Sequence, residues 1–131
     1  MDSSRGYLAS SYLLSDPARS LNDELGKFSQ QDTKFAGFNL LLLSPPLQKS
    51  HALSFDAAFV TNHGAGGAIQ SRPLSSDERL AGGMSNGIDG QGGSAWPKVH
   101  HGVRSLNEYL GTLSSETEEA ELTDCLFELL T

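Results

Sequence analysis

The sequence predicts an α/β chain of the α+β kind, with two helices, a small antiparallel sheet and two more helices. Three observations carry that reading. Apolar residues recur at helical spacing near both ends of the chain. An uninterrupted apolar run at 38–43 is pinched between Gly37 and Ser44-Pro45-Pro46. A glycine-rich turn at 62–67 then joins two strand-like segments.

The elements follow in order. Residues 4–14 place Leu8, Tyr12 and Leu13 on one helical face. Asp16-Pro17 supplies an N-cap and a first-turn proline for a second helix, whose inner face is Leu21, Leu25 and Phe28 and which Gln30-Gln31-Asp32 ends. Residues 38–43 lack polar alternation after Asn39, which predicts a strand covered on both faces. The proline pair stops the run before a helix could establish itself. Residues 52–61 and 68–73 read as a hairpin joined by Asn62-His63-Gly64-Ala65-Gly66-Gly67, where glycines can take positive φ. Residues 80–85 predict one more strand, and 86–94 a loop. After Pro97, the spacing of Val99, Val103, Leu106, Leu110 and Leu113 predicts an amphipathic helix. Ser115 with Glu118 has the capping-box pattern for a last helix, whose inner face is Leu122, Leu126 and Leu129 with Cys125 beside them.

Composition bounds the function. The chain of 131 residues suits one domain, and its 37% apolar content can build a core. Sixteen acidic against nine basic side chains give a net charge of −7, a field that repels phosphate backbones and argues against a nucleic-acid partner. No Lys or Arg follows Arg104, so the last helix presents an acidic, solvated face. A single cysteine excludes an internal disulfide framework. The run at 38–43 is too short to span a bilayer, and residues 1–6 lack a signal-peptide layout, so the expected location is cytoplasmic.

No catalytic or cofactor constellation stands out. Adjacent His100 and His101 project about 100° apart on a helix and cannot share one metal ion, so both read as solvent-facing or helix-edge histidines. Cys125 lies on the apolar side of an acidic helix, surroundings that disfavour a nucleophilic thiolate, and reads as structural. The glycine clusters at 64–67 and 90–93 reproduce neither GxGxxG after a strand nor the P-loop lysine, so no cofactor and no metal are expected.

Four segments, in order, resemble one family. Arg5-Gly6-x-Leu8 with Tyr12-Leu13 is similar to its short arginine-glycine helix. Gly37-Phe38-Asn39-Leu40-Leu41-Leu42 is similar to its GFNLL strand, and Thr61-Asn62-His63-Gly64 stands where it carries an Asn-Arg-Gly turn. Gly83-Met84-Ser85-Asn86, with Trp96-Pro97-Lys98-Val99 and Gly102, is similar to its G-L-S-N…W-P-K-V…G segment. The family is known by its Asn-Arg-Asp-Glu (NRDE) motif and as the transport and Golgi organisation 2 family. Its opening Met-Cys and its NRDE motif have no counterpart here, His63 replaces an arginine, and the loop at 87–95 is enlarged. The resemblance therefore implies a single partial domain over 1–131, lacking the family's N-terminal and C-terminal parts.

What the resemblance implies follows from that placement. The family fold resembles the N-terminal-nucleophile hydrolases, so an incomplete layered αββα fold is expected. In that architecture the exposed N-terminal residue is the nucleophile, and no equivalent is expected here. The expected function is non-catalytic, in Golgi organisation and protein secretion. The alternatives are part of an amide or thioester hydrolase, or a haem- or lipid-handling protein with His63 or His100 as ligand. Expected partners are a small molecule or a secretory-pathway protein, with Golgi or mitochondrial association. Candidate ligand-binding residues are Asn62, His63, Gly64, Ser85, Asn86 and Lys98. Asn86, just after a predicted strand, could donate to a carbonyl oxygen or oxyanion, or could simply take a left-handed turn beside Gly87. Trp96 reads as the anchor of the helix that follows it. Lys98 at a helix start opposes the macrodipole, which favours a functional role.

Overall fold

The computed structural model describes residues 4–46, 54–64 and 66–129, and it divides into two compact units, Met1–Leu74 and Ser75–Thr131. The first unit holds α1 (Arg5–Leu13), α2 (Leu21–Ser29) and an antiparallel sheet in the order β1-β2-β3, from β1 (Asn39–Ser44), β2 (Asp56–Thr61) and β3 (Gln70–Pro73). The second unit holds α3 (Ser76–Leu80), a single 3-10 turn at Gly93–Ala95, α4 (Pro97–Leu110) and α5 (Glu119–Glu128). The predicted mixed α+β composition, with a small antiparallel sheet and flanking helices, is what the chain adopts.

The first unit's core joins Leu8 of α1 and Leu21 and Phe28 of α2 to Leu42, Ala58, Val60, Phe35 and Ile69, with Tyr12, Leu25, Phe38 and Leu40 packed around them. Side chains as thoroughly covered as Leu8, Phe28, Phe35 and Val60 each contribute about 1.5–3 kcal/mol by leaving water. Helix α1 starts where Ser4 caps it, and Tyr12 donates its hydroxyl to the Leu43 carbonyl at 2.9 Å, seating the helix against β1. Leu13, expected on the inner face, is 80% exposed, because it lies one residue past the Leu8–Tyr12 stripe.

Helix α2 begins later than predicted. Asp16 and Pro17 form a separate turn, in which the Asp16 carboxylate accepts the Ala18 N–H at 2.9 Å. The helix starts after Ser20, whose hydroxyl accepts the Asp23 N–H while the Asp23 carboxylate accepts the Ser20 N–H. That reciprocal pair satisfies two donors at once, which a lone Asp-Pro start does not. Glu24, on the inner side of α2, is only 4% exposed and is joined by Arg19 at 3.8 Å and by Lys27.

The register pairs Leu42 with Ala58 and Leu40 with Val60, so these face α1 and α2. Leu41 and Leu43, which alternate with them, remain 43% and 51% exposed. The expectation of a strand covered on both faces is therefore corrected: the period of two sends half of the leucines to the far face, where they stay partly exposed beside the buried Phe59. The predicted start of β2 at 52–53, and Ala65 in the following turn, lie outside the described residues.

In the second unit the strand predicted at 80–85 does not form: Leu80 ends α3 and residues 81–85 are irregular. Ser75 and Glu78 form a capping box that opens a one-turn helix before the apolar residues are reached. The capping box predicted at Ser115 and Glu118 does not form. Glu118 is itself the N-cap of α5 and makes no side-chain cap, while the Thr117 and Ser114 hydroxyls accept the Ser114 and Glu116 N–H groups in a local turn.

Candidate functional site

Three of the six candidate residues lie in the turn that leaves β2. Asn62 has no exposed surface. Its side-chain oxygen accepts the Phe38 N–H at 3.0 Å, and its side-chain nitrogen donates to the Phe35 and Ala36 carbonyls at 3.1 and 3.2 Å. Both donors of the amide are thus spent inside the protein, and the residue faces the backbone before β1. His63 follows with φ of 48°, the one non-glycine residue with positive φ among the described residues. Its exposed ring places Nε2 2.8 Å from the Gln70 side-chain oxygen, and its N–H donates to the Thr61 hydroxyl. Gly64 has φ of 103°, a conformation closed to residues with a Cβ. A Cβ on Gly67 would stand 2.0 Å from the Asn62 carbonyl oxygen, so the turn also needs a glycine there.

The other three candidates lie in the second unit. The Ser85 hydroxyl donates to the Gly93 carbonyl at 2.9 Å and accepts the Gly87 N–H at 3.2 Å, which clamps the loop between them. Gly87 and Gly93 pack against each other so closely that a Cβ on Gly87 would lie 2.5 Å from the Gly93 Cα. Asn86 is exposed on this loop, and its φ is not positive. The left-handed turn expected at Asn86 occurs instead at Gly90 and Gly92, where φ is 74° and 85°.

Lys98 stands in the first turn of α4, with its Nζ 4.8 Å from the centre of the Trp96 ring. That cation–π contact, worth about 0.5–1 kcal/mol, offsets the unfavourable position of a cation at a helix start. Trp96 itself is 41% exposed and caps α4 without a side-chain hydrogen bond. The expectation that it anchors the helix to a core is therefore corrected: its ring supports a lysine.

Beside Lys98 lies an open groove of about 340 Å³. Residues 82–84 form one wall, and Lys98, Val99, Gly102 and Val103 form the other. Gly83 permits the close approach, since a Cβ there would meet Val103 at 2.8 Å and Val99 at 2.9 Å. The volume is at the small end of the ligand-site range of ~300–1,000 Å³. Met84, 53% exposed, completes an apolar lining whose one charged member is Lys98. Lys98 thus shares a site with Gly83 and Met84, neither of which was among the candidates. Only contact between 82–84 and α4 reveals them, because a glycine pair beside a methionine carries no binding signature in sequence.

The expected helix α5 leads Cys125 to Tyr109 of α4. The Tyr109 hydroxyl is shielded from solvent and makes no well-formed hydrogen bond among the described residues. The Cys125 thiol, then burial, then the charges of Glu121 and Glu128 push its ionisation up to about 12. Among the described residues no group of three His, Cys, Asp or Glu side chains could hold a metal ion. No described helix is long and apolar enough to cross a membrane. His100 and His101 are both exposed on α4.

A sequence model of the family described as transport and Golgi organisation 2 matches the chain over residues 1–131. No curated protein and no solved structure matches it.

Proposed function

The chain belongs to the transport and Golgi organisation 2 family, and on that premise we propose that it serves Golgi organisation and protein secretion as a non-catalytic binding component. The observation that supports this reading is the groove beside α4, in which Lys98 is the one charged lining residue above an apolar floor of Met84, Val99 and Val103. Such a lining suits a small anionic molecule: the apolar floor excludes water from one side, and the ammonium neutralises the charge. Ser85 and Asn86, on the loop that follows Met84, are the neighbouring candidates for polar contact. In the other unit, Asn62 acts by holding the turn that displays His63 and Gly64.

The test is complementation in cells that lack this protein, read as release of a secreted reporter. Wild type is expected to restore release, and Lys98→Glu to restore much less of it while accumulating normally. Full rescue by Lys98→Glu would remove the groove from the function. Hydrolysis of amide or thioester substrates by the purified chain, abolished by Cys125→Ser, would overturn the non-catalytic reading.

A further inference from the structure

We propose that Ser115 is a phosphorylation site, modified by a serine kinase whose substrate groove is basic. Such an enzyme reads a serine with a carboxylate three residues on, and five serines have that spacing: Ser20, Ser29, Ser75, Ser105 and Ser115. The fold separates them. Ser29 and Ser105 lie within α2 and α4, whose hydrogen bonds hold the backbone out of the extended form that a kinase cleft grips. Ser20 and Ser75 each accept, on the hydroxyl, the N–H of the acidic residue three positions on, and that residue's carboxylate turns back to the serine N–H. Both halves of the pattern are there folded into a helix cap.

Ser115 differs because its box with Glu118 does not form, and Glu118 starts α5 without a side-chain cap. The backbone turns over 114–117, where the Thr117 N–H donates to the Ser114 carbonyl at 3.2 Å. The Ser114 hydroxyl accepts the Glu116 N–H at 3.2 Å, and the Thr117 hydroxyl accepts the Ser114 N–H at 3.0 Å. The two flanking hydroxyls thus brace the turn, and the Ser115 hydroxyl enters none of these bonds. Ser115, Glu116, Glu118 and Glu119 are all exposed, and no Lys or Arg follows Arg104 to compete with a basic groove. In the reaction the Ser115 Oγ attacks the γ-phosphorus of ATP, the new O–P bond replaces the bridge to the β-phosphate, and ADP leaves while the hydroxyl proton passes to the kinase's base. The product adds a charge of about −1.5 to −2 to a segment that is already acidic.

The test incubates the full chain with ATP, magnesium and an acid-directed serine kinase of the casein-kinase class, and locates the phosphate by peptide mass mapping. One phosphate per chain, on Ser115, is expected. Ser115→Ala should remove it, and Glu118→Lys should slow labelling about tenfold by setting a cation against a basic groove. Both changes are at exposed positions, and an unchanged circular dichroism spectrum separates a lost acceptor from a lost fold. A base-directed kinase should leave Ser115 unlabelled. Absence of label, label that persists in Ser115→Ala, label shared equally with Ser20 or Ser75, or an unchanged rate in Glu118→Lys would each overturn the proposal.

Discussion

The side-chain oxygen of Asn62 accepts the backbone N–H of Phe38 at 3.0 Å, tying the turn after β2 to the residue just before β1. The same amide also holds the Phe35 and Ala36 carbonyls. One buried side chain thereby satisfies three backbone groups that no ladder reaches, which is a larger role than surface binding would give it. Replacing Asn62 with Ala is expected to cost about 1–3 kcal/mol, because the Phe38 N–H loses its acceptor, whereas the Phe35 carbonyl keeps the Gly66 N–H. Urea unfolding checks this: the midpoint should fall with the slope unchanged. Asn62→Asp should be nearly as damaging, since a carboxylate cannot donate to the two carbonyls.

Gly83 sets the width of the groove. Gly83→Ala places a methyl within 3 Å of Val99 and Val103 side chains, at 2.9 and 2.8 Å. The segment at 82–84 must then lift away from α4, with an expected loss of about 1–3 kcal/mol. Hydrogen exchange should show faster opening of α4 in the variant, and binding of any groove ligand should weaken with it.

The Ser20 hydroxyl, and then its backbone N–H, hold the Asp23 carboxyl below its usual 3.8. A carboxylate depressed in the folded state adds stability that is present above the unfolded value and lost as pH falls through the folded one. Ser20→Ala is expected to destabilise the chain more at neutral pH than in acid strong enough to protonate Asp23 in both variants. Thermal melts across that range measure the difference. An equal loss at both ends would show that the charge on Asp23 contributes nothing to the cap.

Tyr109 should ionise late. Its hydroxyl is pushed up to about 12 by the Cys125 thiol first, then by burial and by Glu121 and Glu128. Because the folded state favours the neutral phenol, its contribution is complete below the ordinary value of 10.0 and is lost as pH rises toward 12. Absorbance at the phenolate band should show a late component that Tyr109→Phe removes and that Cys125→Ala moves to lower pH. A late component unaffected by Cys125→Ala would assign the shift to burial and to the Glu121 and Glu128 charges.

Much of this fold is legible in the order of the residues. The Leu8–Tyr12 and Leu21–Leu25–Phe28 spacings mark two helices, the Ser44-Pro45-Pro46 stop bounds β1, and the glycine-rich turn joins β2 to β3. These are local effects of side-chain period and backbone sterics, acting over a few residues. Helix α2 starts at Leu21 because Ser20 with Asp23 makes a better cap than Asp16, while the strand predicted at 80–85 is absent, Leu80 closing α3 and 81–85 being irregular. Both capping pairs are present in the sequence, and a reciprocal cap prevails over a one-sided one. The sequence also marked Lys98 as an uneasy residue at a helix start, although it could not say that Trp96 would receive it. Other features were decided only by tertiary contact. Asn62 became a buried lock because the chain at 35–38 returns to its side, and Gly83 became the wall of a groove because α4 lies against it. Leu41 and Leu42 are identical side chains in adjacent positions, and one is exposed while the other is sealed. Period alone assigns them to opposite faces, but which face is covered depends on where α1 and α2 pack, and burial is a property of the neighbours that arrive from elsewhere in the chain.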